Sequence, residues 1–282
     1  MLALRPLALT LALAIFFSSA HANTDSPITF MQEMKSAYVL FGIPRDLDLS
    51  KKITIVVYFH GLRGNEPFED VIKRQGVAEQ VAEAHVNAVL VVPSIDYSMK
   101  VTCVKTNKKK KHCKSVRRTH AFAEKGTFKK FLKDSVTQLA RALNTTVENF
   151  DNARMIIIGY SAGHDPARMV FSHKDVTPFG VLLLDAHYGS QDIFANYAIS
   201  IAKRHSGFFV TAYTDGTASR AAEFEKIVRE AKMPILREFP ARPERGMVVM
   251  IKVEGDHLHH DFVTSAWAPD PIMEILRRSA AH

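Results

Sequence analysis

The sequence predicts an α/β fold, a mostly parallel central sheet with helices on both faces. Three observations point there. Six short runs are almost wholly Val, Ile, Leu, Phe and Met, as strands buried on both faces should be: Ile53–Phe59, Ala88–Val92, Met155–Ile158, Val181–Leu184, Phe208–Tyr213 and Met247–Val253. Helix-like stretches separate many of them, at Pro67–His85, Thr127–Leu143, Ala162–Ser172, Ser219–Lys232 and Pro271–Ser279. Such alternation belongs to parallel sheets with crossover helices. The third observation is that nearly every apolar run ends in residues able to do chemistry. In open parallel sheets, ligands bind at the carboxyl ends of the strands.

In chain order, residues 1–22 read as a secretory signal and are set apart from the fold. Arg5 supplies a positive start, and Leu7–Phe17 is an apolar stretch too short to span a bilayer. Ala20-His21-Ala22 then offers a small-residue cleavage site before Asn23, so a secreted or periplasmic location is expected. Residues 23–282 suit one domain, with no Pro/Gly/Ser-rich linker and no internal repeat. Residues 28–43 are expected to add one or two antiparallel strands at the start. The span 93–125 reads as a long irregular loop, a rim or lid over a site.

That loop carries both cysteines of the 282-residue chain, Cys103 and Cys113. In an exported protein, a close pair reads as a disulfide. Two free thiols are the alternative, and a metal site is a poorer one because a single His112 beside them lacks paired ligand spacing. Between and after the cysteines stand Lys105, Lys108, Lys109, Lys110, Lys111, Lys114, Arg117 and Arg118, a large share of the excess behind a formal charge of +8. The run Lys108–Lys111 suits an anionic surface such as a wall polymer or lipid headgroup, or else is a solvated loop. Aromatic residues do not interleave with the lysines, so no nucleic-acid platform is expected.

The strongest single signal is Met155-Ile156-Ile157-Ile158-Gly159-Tyr160-Ser161-Ala162-Gly163-His164. A β-branched run ending in Gly-x-Ser-x-Gly marks a sharp strand-to-helix turn that lifts a serine hydroxyl above a sheet edge. Both glycines are expected to let strand and helix approach closely. Pro166 is compatible with the helix that follows because it falls in the first turn, where backbone N–H groups lack intrahelical partners. The other strand ends offer His60-Gly61-Leu62-Arg63-Gly64, Asp185-Ala186-His187-Tyr188-Gly189, Asp215-Gly216, and Gly255-Asp256-His257-Leu258-His259-His260-Asp261.

In these motifs, and in the order serine, acid, histidine, the chain resembles the α/β-hydrolase superfamily over nearly all of residues 23–282. The resemblance implies a serine hydrolase working through an acyl-enzyme, most simply on carboxylic esters. An amidase or peptidase on cell-wall material, or a non-catalytic basic binding protein on the same fold, are the alternatives. It implies Ser161 as nucleophile and a histidine after the last strand as base. His257, just past that strand, is the first choice, with His259 and His260 competing; a zinc site built on this cluster is a further reading. Two acids remain open. Asp215 lies after the second strand beyond the serine and is the first choice; Asp185 ends the strand immediately after the serine's. The resemblance places oxyanion donors at the backbone N–H groups of Ala162 and Leu62, leaves His60 to order the Leu62 loop, and implies no cofactor. Tyr160, His187, Tyr188 and Arg63 are expected near the pocket by their place in the chain.

Overall fold

A computed structural model describes residues 26–34, 37–97, 99–105, 111–117, 121–255 and 259–279, the segments 99–105 and 111–117 through their backbone. Eight strands form one sheet: β1 (Ile28–Met34), β2 (Ala37–Ile43), β3 (Thr54–Phe59), β4 (Ala88–Pro93), then β7 (Arg154–Tyr160), β8 (Gly180–Leu184), β9 (Phe208–Tyr213) and β10 (Met247–Lys252). Their order is β1-β2-β4-β3-β7-β8-β9-β10. β1 and β2 pair antiparallel, β2 pairs antiparallel with β4, and all remaining neighbours are parallel. The expected antiparallel entry and parallel body are both present.

Alternation along each strand divides the core into two layers. Ile55, Val57 and Phe59 of β3 face one layer, while Val56 and Tyr58 face the other. The first layer is covered by α3 (Thr127–Ala142), α4 (His164–His173), α5 (Gln191–Lys203) and α6 (Ala218–Glu230), through residues such as Phe131, Val170, Phe194 and Phe224. The second is covered by α1 (Phe68–Gln75), α2 (Val77–Glu83) and α7 (Pro271–Ser279), through Ile72, Val81 and Ile275. Each such side chain contributes about 1.5–3 kcal/mol by leaving water, which is why the strands read as unbroken apolar runs.

Three features differ from the sequence reading. The stretch Pro67–His85 is two helices, because Gly76 takes a left-handed conformation (φ 59°) between α1 and α2. α5 was not expected, although Phe194, Ala195, Ala198, Ile201 and Ala202 carry a helical period and are all buried. The region after β4 is not wholly irregular: β5 (Met99–Lys105) and β6 (Lys111–Arg117) form a separate two-stranded antiparallel hairpin. Its register sets Cys103 opposite Cys113. The signal segment 1–22 and the lysines Lys108, Lys109 and Lys110 lie outside the described residues. Among the described residues, no helix is long and apolar enough to cross a membrane.

Candidate active site

Ser161 leaves β7 at φ 52°, the left-handed region that L-residues avoid, and opens a 3-10 turn, Ser161–Gly163, that leads into α4. The strain persists because the surroundings leave the chain no other course. Of the two flanking glycines, Gly163 is the stricter requirement. A Cβ there would lie 2.1 Å from the Phe59 carbonyl oxygen, whereas one at Gly159 would meet the Gly163 oxygen at 3.2 Å. The helix therefore packs backbone to backbone on β3. Gly61 comes close from the other side, where a Cβ would stand 2.9 Å from the Tyr160 ring and 3.1 Å from Ser161 Cβ. This approach seats the Gly61-Leu62 loop against the elbow.

His60 holds that loop. It is fully buried; Nδ1–H donates to the Gly61 carbonyl at 2.6 Å, and Nε2 accepts the Ile95 N–H at 3.0 Å. Tyr97 donates its hydroxyl to the His60 carbonyl at 2.6 Å. Both ring nitrogens are thus engaged away from Ser161. Burial pushes the His60 pKa down to about 4; the Gly61 hydrogen bond opposes the shift and the Arg63 charge adds to it.

Asp185, at the end of β8 (φ 42°) and nearly fully buried, gathers donors from two parts of the chain. His259 Nδ1–H donates to Oδ2 at 2.6 Å. The Thr214 N–H and hydroxyl both reach Oδ1 at 3.1 Å, and the Thr217 hydroxyl reaches it at 2.5 Å. Burial alone would raise the carboxyl pKa, but these donors outweigh it and hold the group below the usual carboxylate value. Asp185 is therefore an anion whose lone pairs are occupied.

Asp215, the acid preferred on sequence grounds, stands elsewhere. Its side chain is 83 % exposed and pairs with Lys252 Nζ at 3.0 Å. The loop after β9 turns at once into a 3-10 helix, Asp215–Thr217, so this segment supplies hydroxyl and N–H donors to Asp185 in place of its own carboxylate. His257, the preferred base, lies outside the described residues. At Asp185 the structure places His259, which begins the 3-10 turn His259–Val263. Its ring stacks on Tyr160 at 5.1 Å, and the Tyr160 hydroxyl donates to its carbonyl at 3.2 Å. His260 turns to Asp261 instead, at 3.2 Å.

Ser161 and His259 line one cavity of about 440 Å³ together with Leu62 and Ala162; Tyr160, Tyr188 and His164 complete its wall. Ser161 is 9 % exposed, a buried hydroxyl opening into this space. A larger cavity, of about 830 Å³, opens at the amino-terminal ends of the strands, beside Ile55, Met155 and Gly207, and so lies away from these groups. Of the other residues expected near the pocket, His187 is buried beneath it, bonded to Gln191 and Thr211, and Arg63 lies over the Phe68 ring. His164 was not assigned a role from sequence; burial, reinforced by the Arg168 charge, lowers its pKa to about 4.

Two buried neutral histidines have a consequence for acid stability. In the unfolded chain each titrates near 6.5, so between pH 6.5 and 4 the unfolded state binds more protons than the folded one. His60 and His164 therefore contribute stability that is complete above pH 6.5 and lost as pH falls towards 4, roughly 3 kcal/mol each over that window. Asp185 adds a loss lower down, beginning below its unfolded value near 4. Urea unfolding at a series of pH values should show stability falling by several kcal/mol from pH 6.5 to 4. A flat profile there would contradict the burial of these two rings.

No family model matches the sequence, and no curated protein matches it. Among solved structures, the chain is similar to a putative dipeptidyl aminopeptidase IV from Bacteroides ovatus, at 11 % identity over 93 % of this chain and 36 % of that one, with a TM-score of 0.52. A feruloyl esterase module from Clostridium thermocellum is 12 % identical over 91 % of this chain and 87 % of its own, at 0.49. An S-formylglutathione hydrolase from Agrobacterium tumefaciens is 12 % identical over 91 % and 95 %, also at 0.49. The chain has the α/β-hydrolase fold.

Proposed function

We propose that this chain is a serine hydrolase acting on carboxylic esters through an acyl-enzyme on Ser161, with His259 as general base and Asp185 as the acid that orients it. The observation that carries the reading is the His259–Asp185 hydrogen bond of 2.6 Å beside a serine held at φ 52° in the same cavity. A free serine hydroxyl is a weak nucleophile and needs a base within reach. With Nδ1–H committed to Asp185, Nε2 is the nitrogen left to take the Ser161 proton. The buried anion then stabilises the imidazolium that forms. The N–H groups of Ala162 and Leu62 are the proposed donors to the developing oxyanion, supported by the seating of Gly61 against the elbow. Water activated by the same histidine completes the cycle, with no cofactor in any step.

The cavity walls favour esters of uncharged acyl groups: Leu62, Ala162 and two tyrosine rings present mostly apolar surface. Short p-nitrophenyl esters should be hydrolysed at least 10³-fold faster than peptide p-nitroanilides under the same conditions, as an esterase lacking provision for an amine leaving group would do. Comparable kcat/KM on the two classes would move the assignment to an amidase or peptidase. No turnover of either would favour a non-catalytic binding role.

Export belongs to the same proposal, supported by the signal-like residues 1–22, and so does an anionic surface as partner of the lysine-rich hairpin. A Cys103–Cys113 disulfide fits this setting. Directly opposed positions of an antiparallel pair have Cα atoms about 4.5 or 5.5 Å apart, within the roughly 4.4–6.8 Å that a disulfide spans. Intact mass of the exported protein after alkylation without reductant should show both thiols blocked. Two alkylated cysteines would remove the bridge from the account.

A further inference from the structure

We propose that Tyr188 is a catalytic residue of this site, donating its phenolic hydrogen bond to the substrate carbonyl oxygen as that oxygen becomes an oxyanion. The inference rests on the ester-hydrolase reading above. Tyr188 stands three residues past Asp185 and lines the cavity with Ser161, its hydroxyl within hydrogen-bonding reach of the serine side chain. The residue is 52 % exposed, so core packing does not account for its position. The chain next to it is fixed: His187 is buried, with its nitrogens bonded to Gln191 at 2.6 Å and Thr211 at 2.8 Å. The result is a half-exposed ring on an anchored backbone, with the edge of His164 at 6.3 Å as its neighbour.

In the resting enzyme the phenol faces the serine hydroxyl. On attack, Ser161 Oγ bonds to the carbonyl carbon, its proton passes to His259 Nε2, and the carbonyl π pair moves onto oxygen. The Oγ and the oxyanion then sit on one carbon, closer to each other than a hydrogen-bond length. A donor that reaches the first therefore reaches the second with a small swing of the ring. Tyr188 keeps its proton throughout: burial and the Asp185 charge raise its pKa, against the opposing hydrogen bond with Ser161, so it is a donor at neutral pH. It supplements the two backbone N–H groups and acts at a different point of the cycle from the His259–Asp185 pair. Leu62, 68 % exposed, lines the same cavity from the loop after β3, as Tyr188 does from the loop after β8.

The test is Tyr188→Phe, which removes one oxygen and keeps the ring. Steady-state turnover of p-nitrophenyl acetate would be measured beside inhibition by a trifluoromethyl ketone, whose adduct with Ser161 carries the oxyanion. Active-site titration with a fluorophosphonate normalises both to folded enzyme. The proposal expects kcat to fall about 10²-fold, KM to stay within twofold, and inhibition by the ketone to weaken by a similar factor. Wild-type kcat and ketone affinity in the variant would overturn it. So would a raised KM at unchanged kcat, which makes Tyr188 only a wall of the pocket. A loss confined to the titrated fraction would also overturn it, since that is a folding effect. If the wild-type protein neither turns over esters nor labels at Ser161, the parent reading fails and this inference with it. An active wild type with an unaffected variant sinks the Tyr188 role alone.

Discussion

On the proposed mechanism, Ser161→Ala is expected to abolish ester hydrolysis and leave the protein folded. Removing the nucleophile of a site that works as a unit costs on the order of 10⁶-fold in kcat, which takes turnover of a p-nitrophenyl ester to the uncatalysed background. Folding survives because alanine and serine meet the same strain at φ 52°, and the lost hydroxyl faces a cavity rather than a packed core. Tyr188, which interacts with the serine, is half-exposed and can turn to water. The measurement is initial rate beside a urea denaturation curve. Activity retained in a folded variant would dismiss the acyl-enzyme.

The second large effect separates the two aspartates. Asp185→Asn should lower kcat/KM by about 10⁴-fold, and Asp215→Asn by less than twofold. Every partner of Asp185 donates to it: the Thr214 N–H, the Thr214 and Thr217 hydroxyls, and His259 Nδ1. An asparagine can keep its oxygen towards the threonines, but its NH₂ then faces His259. The imidazole must turn its Nδ1 into an acceptor and carry its proton on Nε2, where the base has to be free. Asp215 loses only an exposed pair with Lys252, of a kind worth about 0–1 kcal/mol. Equal losses in the two variants, or the larger loss at Asp215, would reverse the assignment of the acid.

The contrast between those aspartates shows where the sequence was informative. The elbow was legible because its chemistry is local: a β-branched strand, two glycines, a serine and a helix in one stretch. The sheet was legible for the same reason, since strands buried on both faces have to be apolar throughout. The proposed acid was not, because what makes Asp185 an anion bonded to a histidine is a convergence of Thr214, Thr217 and His259, residues 29 to 74 positions away. Asp215 carried the more familiar local pattern, an Asp-Gly turn, and that pattern marks a surface turn. In the histidine cluster, proximity to β10 favoured His257, while His259 is placed by tertiary contacts, the Tyr160 ring beneath it and the Tyr160 hydroxyl on its carbonyl. The β5–β6 hairpin is hidden in the sequence because lysines crowd around its one β-prone run, Val101-Thr102-Cys103-Val104, which pairs with His112–Ser115.

The central claim is that Ser161 is an activated nucleophile, and the most direct measurement is labelling of the folded protein with a fluorophosphonate, the modified peptide being located by mass spectrometry. One adduct per chain is expected, on Ser161, formed rapidly in the wild type and slowed by orders of magnitude in Asp185→Asn. Absence of the adduct from folded wild-type protein, or its appearance on another residue, would contradict it.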